Sequence, residues 1–138
     1  PLFEGRALMA RLLNPAAAMQ GDPPRWGDPQ FLDLGNRGLR SALEWGTGYL
    51  LIAGPTDGAG TSALYFWSGK AEPPPRLLSQ YDFTGLNPEG VAVWPKMNPP
   101  RLWIVSDDGT EKLDGRDCKD APARQRRFRA ISVQAPAW

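Results

Sequence analysis

The chain has 138 residues, a formal net charge of +1, one cysteine and no histidine. That is enough chain for one domain with a buried core, and too little charge to draw in nucleic acid or an anionic membrane. Without histidine there is no Ser-His-Asp or Cys-His triad and no HExxH zinc motif, and a lone Cys118 allows neither an internal disulfide nor a cysteine-built metal site.

The 15 prolines and 15 glycines point to short strands and tight turns, since helix interiors tolerate neither residue. Arg6 to Leu13 is ambiguous: Ala, Leu and Met favour a helix, but the run is short and stops at Asn14-Pro15. Gln20 to Pro29 is a loop by its breakers. Strand signals then follow at Gln30–Leu34, Gly38–Trp45, Gly48–Ala53, Ser62–Trp67 and Arg76–Phe83, separated by Gly, Pro or Asp clusters. Glu89–Trp94, Arg101–Ser106 and Arg127–Gln134 read as strands too, with Pro95 to Pro100 as a turn. Asp107 to Gln125 is a polar loop with a short strand around Glu111–Leu113. No apolar run approaches the roughly 20 residues of a bilayer span. Position 1 is Pro, and no signal peptide opens the chain, so an excised or processed piece is expected.

The pattern repeats. Leu39 to Trp45 aligns with Pro88 to Trp94 at an offset of 49 residues, and the strand opening at Leu50 with that opening at Leu102, both closing on Asp-Gly. A period of about 50 residues holding three or four short strands is the size of a propeller blade. A blade cannot bury both faces alone and stacks on its neighbours. Leu50–Ala53 and Leu102–Val105 are apolar throughout, as strands covered on both faces are. The expected fold is all-β, with about two four-stranded antiparallel blades of a β-propeller-like ring that is incomplete. Residues 1–35 end a preceding blade, 36–84 form one blade and 85–138 the next. A β-sandwich with two similar hairpins is the competing architecture.

Phe31-Leu-Asp-Leu-Gly35, Gly38-Leu-Arg40, Leu50 to Pro55, Ala63 to Trp67 and Pro88-Glu-Gly-Val-Ala92 together resemble the bacterial family DUF3616, as does the opening Pro1 to Leu8. The likeness covers about residues 1–110. It implies the C-terminal part of a longer propeller-like domain whose function the family does not define. Blades would then be missing, supplied by a second fragment or by copies of the same chain.

In propellers the innermost strands line the central channel, and loops at one end form the usual site. Arg40 and Glu89 are equivalent in the repeat, and Asp57, Asp107 and Asp108 follow the second strands. Pro88-Glu89-Gly90 is similar to a Glu-Gly motif in calcium-dependent lactonase-type and phytase-like propellers, which implies a metal-ligand role for Glu89 alone. Glu89 with Asp107 or Asp108 would hold Ca²⁺ or Mg²⁺ through hard oxygen ligands, and Arg40 would grip an anionic group. The same residues also allow an Arg40–Glu89 ion pair between blades and plain Asp-Gly turns. Two functions follow: a binding or interaction module, or a metal-dependent hydrolase of an anionic ester or lactone. Arg124 to Arg129 is basic beside an aromatic, but at this net charge it reads as a solvated outer strand with no nucleic-acid role. The tryptophans at 45, 67, 94 and 103 read as packing between blades.

Overall fold

The computed structural model describes residues 2–94 and 97–137, and the chain is all-β. β1 (Leu2–Phe3), β2 (Arg6–Met9) and β3 (Gln30–Leu32) make a three-stranded antiparallel sheet. β4 (Gly38–Trp45), β5 (Gly48–Gly54), β6 (Ala63–Trp67) and β7 (Arg76–Leu77) form a four-stranded meander. β8 (Pro88–Trp94) and β9 (Arg101–Ser106) follow, then a small hairpin of β10 (Lys112–Leu113) and β11 (Arg116–Asp117). β12 (Ala130–Gln134) returns to the outside of β9, giving a third sheet in the order β12-β9-β8. The first expected blade thus has its four strands and the second has three. Where the first turns directly from its second strand to its third, the second spends residues 107–129 on the hairpin and two 3-10 turns. The sheets do not close a ring.

The ambiguous Arg6–Leu13 run is a strand at its start. Ala7 is buried and Met9 half-buried against one cluster while Arg6 and Leu8 face solvent, so packing at period 2 overrides helix propensity. The short helix α1 lies further on, at Pro15–Met19, where Pro opens a run of three alanines. Asn14 does not cap it; its side chain accepts from the Arg25 N–H and donates to the Pro23 carbonyl, closing the loop that carries the helix. Of the run expected from Arg76 to Phe83, only Arg76–Leu77 is strand. Leu78 and Phe83 are nevertheless core residues.

The three sheets stack face to face, and the meander is the middle layer. Leu51, Ala53, Ala63, Tyr65 and Trp67 point to the first sheet and meet Ala7, Leu32 and Leu34. Leu50, Ile52, Leu64, Phe66 and Trp45 point to the third sheet and meet Leu102, Ile104, Val91, Val93, Ile131 and Val133. β5 therefore has no solvent-facing side between Leu50 and Gly54, as its unbroken apolar run predicts. Each of its three large side chains stabilises the fold by about 1.5–3 kcal/mol through burial.

β9 does not share this double cover. Residues pair as Leu43 with Leu50 in the middle sheet and as Ala92 with Trp103 in the third. Since Leu43 and Ala92 are 49 residues apart, the partner of Leu50 in the repeat is Trp103 and not Leu102. The sequence alignment slips by one residue there, and one residue inverts the face of every side chain. The cause is the connection. Gly46-Thr47 joins β4 to β5, with Gly46 at φ 58°, whereas residues 95–100 join β8 to β9, and 95 and 96 lie outside the described residues.

With the register corrected, Trp45, Leu50 and Ile52 correspond to Trp94, Trp103 and Val105. The first three are 7%, 0% and 0% exposed; their counterparts are 58%, 42% and 38% exposed. Trp45 and Trp67 are thus inter-sheet packing residues as expected, while Trp94 and Trp103 are not covered by any sheet of the described chain.

Gly48 sets the spacing of β5 against β6. A Cβ there would lie 2.3 Å from the Trp67 carbonyl oxygen. Gly48→Ala is expected to cost about 1–3 kcal/mol, seen as a lower urea midpoint. An unchanged midpoint would contradict this strand spacing.

Candidate functional site

The two residues singled out in the repeat are both bulges. The β4–β5 ladder passes from Leu39↔Ala53 to Ser41↔Ile52, skipping Arg40. The β8–β9 ladder passes from Pro88↔Ser106 to Gly90↔Val105, skipping Glu89. A bulge leaves one residue unpaired and re-aims its side chain. Here it aims the two at each other: Arg40 Nη1 lies 2.5 Å from Glu89 Oε1, with side chains 29% and 35% exposed. Arg40 Nη2 donates to the Pro55 carbonyl at 2.6 Å, tying the end of β5 to the same pair. Gly54 makes the approach possible, because a Cβ there would sit 3.1 Å from Arg40 Nε and 2.9 Å from Ser62 Oγ. Sequence reasoning missed Gly54, although a glycine at the end of an apolar strand is a signal of close backbone approach.

The aspartates divide. Asp57 Oδ1 accepts from the Ala59 N–H and Gly58 has φ 79°, so the first Asp-Gly is a turn. In the second loop Asp107 takes the equivalent role, accepting from the Gly109 N–H at 2.9 Å. Asp108 is not a turn residue. It is 4% exposed, accepts from Ser106 Oγ at 2.8 Å, and is held bidentately by Arg129, whose backbone N–H also donates to it at 2.7 Å. The hydrogen bonds from Arg129 outweigh the cost of burial and hold the Asp108 carboxyl down at about 2. Arg129 is therefore an anchor just ahead of β12 and not a solvated member of that strand, the role expected of the Arg124–Arg129 run.

At this end of the stack a cleft of about 410 Å³ opens between the loops, with Arg40, Thr56, Asn87, Asp107, Thr110 and Glu111 in its walls. Arg40 and Asp107 line it. Asp108 is turned away into its own pair, and Glu89 is spent on Arg40. The expected metal set of Glu89, Asp107 and Asp108 is not assembled: among the described residues no three His, Cys, Asp or Glu side chains are grouped to hold an ion. Two of the three carboxylates, Glu89 and Asp108, are paired with arginines. Arg40, expected to grip an anionic group, is instead paired with Glu89. No helix of the described residues is long and apolar enough to cross a membrane. Comparison with protein-family models, with curated proteins and with solved structures finds no match.

A double-mutant cycle with Arg40→Met and Glu89→Gln is expected to return a coupling of about 1 kcal/mol, the value for a charged hydrogen bond discounted for partial exposure. Zero coupling would mean that the bulges are held by their backbones alone. For Asp108 the folded value lies below the unfolded one, so its contribution is complete above about pH 4 and lost as pH falls toward about 2. Asp108→Asn should cost about 1.5–3 kcal/mol at pH 7, measured by urea denaturation. The difference from the parent chain should shrink as pH drops below about 4; a constant difference would refute the assignment.

Proposed function

We propose that the chain is a propeller-like interaction module whose stack of sheets is continued by a second copy of itself. The observation that carries this is the outer face of the β12-β9-β8 sheet. Its Trp94, Trp103 and Val105 repeat the positions at which Trp45, Leu50 and Ile52 are covered by a neighbouring sheet. A solvated antiparallel face normally carries polar residues, and exposed apolar patches of this kind mark interfaces.

The copy supplies the matching surface. At the other end of the stack, Phe3, Leu8 and Phe31 are exposed on the outer face of the first sheet, with the Phe3 and Phe31 rings 5.4 Å apart. Arg6 lies 5.2 Å over the Phe31 ring, ready to extend the same cation–π contact to a tryptophan. Joining unlike faces head to tail gives a ring if the rotation closes and a filament if it does not. This reading agrees with what the DUF3616 resemblance implies, a domain with further blades. Of the three metal ligands the hydrolase alternative needs, Glu89 and Asp108 are instead paired with Arg40 and Arg129.

Light scattering on purified material is the direct test. A native mass that is a multiple of 15.2 kDa is expected, with Trp103→Lys returning it to one chain while circular dichroism stays unchanged. A native mass of one chain at all concentrations up to about 100 μM, near −5.5 kcal/mol of association, would overturn the reading. So would a second, different polypeptide accounting for the extra mass.

A further inference from the structure

A cleft of about 750 Å³ lies at the opposite end from the Arg40–Glu89 pair, between the first sheet and the β4–β5 turn. That volume is in the range of small-molecule sites. Three features of its wall point to a ligand, and none is used by the stacking described above.

The first is an orphaned acceptor. Gln30 is on β3, on the face turned to the middle sheet with Leu32, and it lines the cleft. Among the described residues its Oε1 is the buried side-chain atom without a hydrogen-bond partner. Leaving such an atom unsatisfied costs roughly 1–3 kcal/mol, so native structures retain one where something else supplies the donor.

The second is charge of both signs. Arg11 and Lys70 stand on the wall with Asp28 and Glu44, and among the described residues none of the four forms an ion pair. The third is an aromatic surface. Tyr49 is partly exposed in the cleft and packs on Trp67 with ring centroids 5.6 Å apart. The Trp67 indole donates to the Lys70 carbonyl at 2.7 Å, which fixes the loop carrying the Lys70 charge.

We infer that this cleft binds a small zwitterion of the amino-acid type with an apolar body, free or as a dipeptide. Its ammonium faces Asp28 and Glu44, its carboxylate faces Arg11 and Lys70, its apolar part lies on Tyr49, and an N–H donates to Gln30. All four charged residues are solvent-exposed, so each pairing adds modestly, and a molecule carrying both signs gains from both pairs where a singly charged one gains from one.

Calorimetric titration of the full chain with L-phenylalanine and with the dipeptide Ala-Phe tests this, with 3-phenylpropionate and phenethylamine as singly charged controls. At least one zwitterion is expected to bind with a Kd of about 1 mM or tighter, and the controls on the order of tenfold weaker. Phenylalanine binding alone assigns a free amino acid, and Ala-Phe binding alone a peptide. Gln30→Met should weaken binding by on the order of tenfold while leaving the melting temperature unchanged or raised, because it removes an unsatisfied buried acceptor. Lys70→Gln, an exposed change, should weaken binding without altering stability. Equal binding of the controls, no binding of either zwitterion, or undiminished binding to Gln30→Met would each overturn the inference. A lower melting temperature for Gln30→Met would show that the fold already satisfies the amide, and would overturn it too.

Discussion

β5 cannot be solvated. Leu50, Leu51, Ile52 and Ala53 alternate between two faces and are fully buried on both, so a sheet is required on each side of it. The first sheet and the third sheet exist in this chain to meet that requirement, and the two apolar clusters are the two sides of one strand. The polar features follow from the same layering. The two bulges at the same end of neighbouring sheets re-aim Arg40 and Glu89 toward each other, and the pair ties the sheets together there.

Much of this layering was legible in the sequence. The run Gly48 to Gly54 carries its own burial pattern, and Gly38–Trp45 and Arg101–Ser106 were bounded correctly by Gly, Pro and Asp clusters. The equivalence of Arg40 and Glu89 also came from the repeat, because Leu39–Trp45 and Pro88–Trp94 align at a constant offset with no insertion inside either segment. What failed was register past an insertion. Apolar residues at both parities give no phase, so Leu50 could be set above Leu102 or Trp103 with equal comfort. Only the backbone ladder decides, and it is the residues at 95–100 that shift the phase.

The candidate site was less legible, for a reason that belongs to electrostatics. A carboxylate in a sequence looks the same whether it awaits a cation or already has one. Asp108 and Arg129 are 21 residues apart, with a hairpin and two 3-10 turns between them, and no local pattern joins them. Asp114-Gly115 shows the opposite case. Leu113 pairs with Arg116 across it, and φ is 50° and 83°, so the Asp-Gly signal for a tight hairpin was present and went unread beside the acids around it.

The exposed tryptophans tie these points together. In the third sheet the face turned to the middle layer holds Val91, Val93, Leu102, Ile104, Ile131 and Val133, as a single-sided sheet requires. The opposite face should then be polar, yet β8 places Gly90, Ala92 and Trp94 there, and β9 places Trp103 and Val105. Of its polar members, Arg101 is turned along the sheet to Ser132 and leaves the aromatic surface bare. These two exposed indoles, Trp94 and Trp103, are the observation on which the proposed stacking of a second copy rests. The middle sheet gives the physical precedent: the same positions, with the same bulge at the same end, are apolar because another sheet lies on them.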